Sequence, residues 1–334
     1  MIQTTLPLWP QGRYTWPAAG GFVPTLTAYL HDDAVPRPAV VVVPGGAYCF
    51  VSPGEGEPVA DVFFEKGYQT FVLIYTTNPC FHGPLGTQPL CDLARAVALV
   101  RQNAAAWHVK PDHVAVCGFS AGGHLAGSLA VHWNAPFLPA DLTGTLVRPD
   151  AAILCYPVVT MGPYTHADSR RALLGDAFTA ADAHTMSLEE NVTPGTPPVF
   201  FWHTRNDDAV PVQNSLLLQQ ALLQNGVVHE MHLFADGAHG ATLANDRWKQ
   251  DDNGSLDTEV QYHATARYEL EQGGAKEMYP GLDMTQFPDM QAWTQDFKRR
   301  RAANIAARRT NAAIALWPQL ADCFLRQVWD GDRS

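Results

Sequence analysis

His113-Val114-Ala115-Val116-Cys117-Gly118-Phe119-Ser120-Ala121-Gly122 runs from a β-branched apolar segment straight into a serine bracketed by glycines. The first half reads as a buried strand, and residues 124–133 beyond it read as a helix. A G-x-S-x-G pattern between strand and helix is a nucleophile elbow, a sharp turn that holds the serine in a strained conformation. Such a turn tolerates little bulk nearby, which accounts for the flanking glycines. Its Oγ projects from the turn, and the helix N-terminus behind it favours developing negative charge. Ser120 is therefore the candidate nucleophile, and the backbone N–H of Ala121 a candidate donor to an oxyanion.

Moving outward, apolar runs recur at 39–43, 70–75, 151–155, 198–202 and 230–234, and helical periodicity fills 59–66 and 90–107. Continuous runs without polar alternation suit strands buried on both faces. Strands alternating with helices predict right-handed βαβ units, hence an α/β fold with a mostly parallel central sheet flanked by helices on both faces. Chemistry in such sheets sits just past the carboxyl ends of the strands.

Two further strand ends carry candidates. Pro44-Gly45-Gly46-Ala47-Tyr48 closes the 39–43 strand, and small residues there let the N–H groups of Gly46 and Ala47 approach a substrate oxygen beside that of Ala121. No Gly-Lys-Ser/Thr follows, so a phosphate loop is not expected. A serine hydroxyl needs a base, and the base an orienting acid; behind an elbow of this type they follow in the order acid, then histidine. Of the thirteen histidines, His239 in Asp236-Gly237-Ala238-His239-Gly240 alone has that order and a strand-end position. His203 also ends a strand, but it precedes the acid and is expected to bond locally. The acid is Asp207, with Asp208 the runner-up beside it and Asp236 close to His239. Tyr48 and Tyr156 are candidates for the substrate pocket. No Cys/His spacing suggests a metal, and none is expected.

At 334 residues, 46% hydrophobic and 16% charged, the chain holds enough apolar material for one large domain. A formal net charge of −11 and a pI near 5.5 argue against nucleic acid or an anionic membrane as partner. Residues 1–7 lack the basic start and apolar core of a secretory leader, and no run approaches the roughly 18 apolar residues of a membrane span. The six cysteines are scattered, so reduced structural thiols and a cytoplasmic location are expected.

The motifs together resemble one group, the bacterial acetylesterase and acetyl-xylan-esterase-like branch of the α/β-hydrolases, related to the dienelactone-hydrolase-like enzymes. The resemblance runs from about residue 39 to 244. It rests on Pro44-Gly45-Gly46-x-Tyr48, on Gly118-Phe119-Ser120-Ala121-Gly122-Gly123-His124-Leu125-Ala126, on the 203–215 segment with Asn214-Ser215, and on Gly237-x-His239-Gly240-x-x-Leu243-Ala244. In that branch the acid lies four residues before the proline of a Val-Pro pair, which is Asp207 ahead of Pro211. The third glycine of the first loop is Ala47 here, a mild departure because the backbone N–H is what works. The resemblance implies an α/β-hydrolase fold and cofactor-free hydrolysis of short acyl esters, acetylated sugars or oligosaccharides foremost. The alternatives are a general carboxylesterase, an arylformamidase-like amidase, or a non-catalytic small-ligand receptor on the same fold.

From 245 to 311 the chain departs from that pattern before a final helix beginning near 312, within a single domain of 1–334. This insertion opens polar, with Asp246, Asp251, Asp252 and Asn253, and carries Trp248, Tyr262, Tyr268, Tyr279, Phe287 and Trp293. It ends in a basic segment from Lys298 to Arg309. A lid, a pocket wall or a homo-oligomer contact is expected of it. Its basic run reads first as a solvated helix face, and its aromatics as core before sugar platforms.

Overall fold

Residues 39–43 are wholly shielded from solvent, and their side chains alternate between two separate cores. Val41 and Val43 join Phe71, Leu73, Val97 and Leu125 on one side of the sheet. Val40 and Val42 join Val59, Phe63, Trp317 and Phe324 on the other. With both faces covered, polar alternation would leave unpaired groups in a core, so the segment is alanine followed by four valines. Burying each valine contributes about 1.5–3 kcal/mol, an upper bound.

The computed structural model describes residues 1–250 and 254–331. Its main sheet has eight strands: β1 (Ile2–Pro7), β2 (Thr25–Leu30), β3 (Arg37–Val43), β4 (Gln69–Ile74), β5 (Val109–Phe119), β6 (Ala151–Cys155), β7 (Val199–Thr204) and β8 (His229–Phe234). Their order is β1-β2-β4-β3-β5-β6-β7-β8. Strands β3 to β8 run parallel, while β2 pairs antiparallel with both β1 and β4. The helices are α1 (Glu57–Glu65), α2 (Gln88–Gln102), α3 (Ser120–His132), α4 (Ala167–Leu174), α5 (Ala180–Met186), α6 (Gln213–Gln224), α7 (Asp246–Lys249), α8 (Val260–Gln272), α9 (Met290–Ala307) and α10 (Trp317–Asp330). Apolar residues of α1 and α10 pack on one face of the sheet, those of α2 to α6 on the other.

The six expected strands and the helices flanking them are present, with three differences besides the final helix, which begins at Trp317 after a 3-10 turn at Ile314–Leu316 rather than near 312. The N-terminal pair β1 and β2 was not among the expected strands. Helix α2 stops at Gln102 rather than near 107, because Asn103 caps it and His108 turns at φ +52°. Helix α3 begins at Ser120 itself rather than at His124. All six cysteines are free, and five are buried. No described helix is long and apolar enough to cross a membrane.

The 245–311 segment holds α7, α8, a small hairpin of β9 (Glu277–Met278) and β10 (Leu282–Asp283), and α9. Asp251, Asp252 and Asn253 lie outside the described residues. Tyr262 and Trp293 are buried with Met278, Leu282 and Met284 in a third core, so most of the aromatics pack inward. Tyr268 is the exception, about half exposed. The basic run keeps much of the solvated face expected of it, with Lys298, Arg299 and Arg309 exposed. Arg299 and Arg300 pair with Asp296, Arg301 reaches Glu259 at 3.0 Å, and Arg308 lies over the Trp248 ring at 4.8 Å. Asp296 belongs to the same helix, whereas the carboxylate of Glu259 and the Trp248 indole come from other elements and hold Arg301 and Arg308 against the fold.

Candidate active site

Ser120 sits where β5 passes into α3, at φ +52°, a left-handed conformation that costs a non-glycine residue about 1–2 kcal/mol. The turn is held by contact on every side. A Cβ at Gly118 would lie 2.1 Å from the Gly122 carbonyl oxygen, and one at Gly122 would lie 2.1 Å from that of Val43. Both glycines are thus required by close backbone approach. Gly45 is pressed against the elbow in the same way, since its Cβ would meet Phe119 O at 2.6 Å and Ser120 Cβ at 2.9 Å.

The loops after β7 and β8 deliver the other two residues. Nε2 of His239 lies 2.8 Å from Ser120 Oγ, and Nδ1 lies 2.8 Å from Asp207 Oδ2. A neutral imidazole satisfies this line when Nδ1–H donates to the carboxylate and Nε2 accepts from the hydroxyl. The Asp207 side chain is 1% exposed and also accepts the N–H groups of Ala209 and Val210. Burial would raise its carboxyl; hydrogen bonds from His203 and His239 outweigh it and hold the group well below the usual range. Asp208 faces elsewhere, its Oδ1 accepting the backbone N–H of His239 at 2.9 Å. Asp236 accepts from Asn206, whose own Oδ1 takes the Gly237 N–H. Asp208, the runner-up, and Asp236 therefore brace the histidine loop.

The loop at 44–48 turns sharply, with Gly46, Ala47 and Tyr48 all at positive φ. Among the described residues, the N–H groups of Gly46 and Ala47 donate to no protein acceptor, and that of Ala121 belongs to the first turn of α3, where amides lack helical partners. Glu55 was not anticipated. It is buried, its Oε2 accepts the Gly45 N–H at 2.8 Å, and its Oε1 accepts the Tyr156 hydroxyl at 2.7 Å. Burial pushes its carboxyl up, against the pull of those hydrogen bonds.

The two tyrosines expected in the pocket are both about 1% exposed. Tyr156 packs its ring on His239, centroids 5.0 Å apart. The expectation for Tyr48 is corrected: its hydroxyl is bound 2.7 Å from His124 Nδ1, and His124 Nε2 donates to the Met186 carbonyl. Burial lowers His124 to about 4, so the neutral ring locks Tyr48 into the core. His203 bonds locally as expected, to Ser215 Oγ and the Val210 carbonyl. Among the described residues, none of the His239, Asp207 and Glu55 side chains joins a metal-type cluster.

Residues 28–222, more than half of the chain, match the BD-FAE family. The endo-1,4-beta-xylanase B of Butyrivibrio fibrisolvens is 44% identical over 246 residues, covering 72% of this chain and 38% of that protein. The acetylxylan esterase of Xylanibacter ruminicola is 29% identical over 221 residues, covering 64% and 43%. This chain thus spans about two fifths of the length of those relatives. The crystal structure of an acetyl ester-xyloside bifunctional hydrolase from Caldicellulosiruptor lactoaceticus matches at 36% identity and TM-score 0.66, over 75% of this chain and 94% of that one. Sheet, elbow and neighbours together define an α/β-hydrolase of the esterase branch. Within that branch the chain belongs to the BD-FAE family.

Proposed function

We propose that this chain is a serine ester hydrolase that removes short acyl groups, acetyl foremost, from acetylated saccharides. The observation that carries the proposal is the unbroken line Ser120 Oγ, His239, Asp207, each link 2.8 Å. His239 takes the Ser120 proton as Oγ attacks the ester carbonyl, and Asp207 stabilises the imidazolium. The N–H groups of Gly46, Ala47 and Ala121 receive the oxyanion, and each such donor is worth on the order of a hundredfold in rate. His239 then protonates the departing alcohol and activates the water that releases the acyl-enzyme. The acetylated-sugar substrate draws on the xylan-directed names of the relatives.

The insertion acts as a wall beside the site: Thr258 Oγ1 donates to the Val51 carbonyl, and Phe50 packs on Tyr262 and Tyr279. Six unpaired cysteines fit a reducing, cytoplasmic setting.

The test is hydrolysis of p-nitrophenyl acetate, butyrate and octanoate against Ser120→Ala, followed by acetate release from acetylated xylo-oligosaccharides. Preference for acetate, lost in the variant together with labelling by a fluorophosphonate probe, is expected. Failure of folded wild-type protein to label would end the serine-hydrolase reading.

A further inference from the structure

The loop after β4 and helix α8 bring three side chains of mixed ligand character to one cavity that shares no residue with the Ser120 site. Cys80, His82 and Glu269 line a space of about 460 Å3 together with Asn78 and Gln261. Their sulfur, ring-nitrogen and carboxylate atoms all lie within 4.8 Å of one another, and His82 Nδ1 is 3.6 Å from Glu269 Oε1. Glu269 is 4% exposed, and its Oε2 is buried without a hydrogen-bond partner. Such an oxygen is expensive to keep in a folded protein unless something positive meets it. The ligand loop is built around Asn78: its Oδ1 accepts the His82 N–H, its Nδ2 donates to the Gly83 carbonyl, and Phe81 turns at φ +55° between the two ligands.

We propose that Cys80, His82 and Glu269 bind a divalent transition-metal ion of the zinc class, with a fourth position open to the cavity for water. Thiolate, imidazole and carboxylate together select zinc-like ions over magnesium or calcium, which take oxygen alone. Tetrahedral bonds of about 2.0–2.3 Å put donor atoms roughly 3.3–3.8 Å apart, so the 3.6 Å between His82 and Glu269 already fits and the widest separations close by at most about 1 Å. His82, with its side chain 56% exposed, is free to make that movement. The thiol is buried beside Glu269 and Glu277 and is held protonated, its pKa pushed up to about 12. Forming the sulfur–metal bond expels the thiol proton to solvent.

The bound ion ties the insertion to the body of the hydrolase. The same loop reaches the proposed oxyanion segment, because the Asn78 N–H donates to the Tyr48 carbonyl at 2.8 Å. No motif announces the site, since Glu269 comes from a helix far along the chain.

The experiment is calorimetric titration of reduced, EDTA-stripped protein with ZnCl2, paired with the absorption spectrum of the Co2+ form and a thermal melt. Expected are one ion bound per chain, a raised Tm, and a thiolate-to-cobalt charge-transfer band. His82→Ala, at an exposed position, and Glu269→Gln are expected to weaken binding by about a hundredfold or more, and Cys80→Ser to abolish the band. His239→Ala is expected to bind like wild type. No saturable binding by wild type would overturn the proposal. So would wild-type affinity in both His82→Ala and Glu269→Gln, or loss of binding in His239→Ala.

Discussion

The Tyr156 hydroxyl donates a 2.7 Å hydrogen bond to Glu55, the carboxylate that also takes the Gly45 N–H. One buried acid thereby links the ring beneath His239 to the loop pressed against Ser120. Glu55 touches neither the serine nor a substrate path, so it is a positioning residue. Glu55→Ala is expected to lower kcat on p-nitrophenyl acetate about 10–100-fold with KM nearly unchanged. It should also remove about 1–3 kcal/mol of stability by orphaning buried donors. Tyr156→Phe leaves the Gly45 bond in place and should lie between that variant and wild type. Wild-type kcat in folded Glu55→Ala would rule out the positioning role.

Asp207 and Asp208 are neighbours in sequence with different tasks. The first accepts from His239 Nδ1, the second from the His239 backbone N–H. Asp207→Asn leaves the geometry but lets the amide favour the wrong tautomer, and kcat should fall on the order of 10^3–10^4-fold. Asp208→Ala loosens only the loop, and a drop of about tenfold or less is expected. Equal losses in the two variants, measured on the same ester, would contradict this division.

The elbow and its partners were legible because glycines, strand ends and chain order each constrain them locally. Gly118, Ser120 and Gly122 announce a turn that only backbone contact explains, and His239 stands in a short glycine-bracketed loop. Choosing Asp207 over Asp208 required a pattern, since adjacency hides which carboxylate faces the ring. Glu55 was illegible: an acid between two glycines reads as a surface loop residue. Its burial depends on Tyr156, a partner from another part of the sheet. Strand β1 is an exposed edge with little apolar signal, so its pairing with β2 left no mark in the hydrophobic pattern. Tyr48 misled because a tyrosine beside a strand end reads as pocket wall until His124 is seen holding its hydroxyl. The termination of α2 was missed because Ala104 and Trp107 prolong the apolar pattern past Asn103.

Gly122 and Gly144 separate backbone contact from backbone freedom. A Cβ at Gly122 meets the Val43 and Pro44 carbonyl oxygens at 2.1 and 2.4 Å, and neither can move without opening β3. Gly122→Ala is expected to cost about 3 kcal/mol or more and to yield little folded protein. At Gly144 the surrounding space is open and only the φ of +67° resists, so alanine should cost about 1–2 kcal/mol. Denaturant midpoints of the two variants check the ordering, and a Gly122→Ala protein as stable as Gly144→Ala would refute it.

Two buried groups in the same core region give stability opposite dependences on pH. Burial raises Asp92 to about 6, against hydrogen bonds from Thr76, Trp9 and Gln88. The folded state therefore holds that proton more tightly than the unfolded chain, so the contribution of Asp92 is full below about pH 4 and is lost as pH rises through 6. His124 is the reverse. With its pKa lowered to about 4, the folded state resists a proton that the unfolded chain accepts, and stability is lost as pH falls from 6.5 toward 4. Each ramp is on the order of 3 kcal/mol. Relative to wild type, the deficit of Asp92→Asn should be greatest near pH 4 and shrink toward pH 7. That of His124→Gln should be greatest near pH 7 and shrink toward pH 4. Urea unfolding of the three proteins across this range reads the slopes directly, and deficits independent of pH in both variants would mean that neither group titrates as its surroundings require.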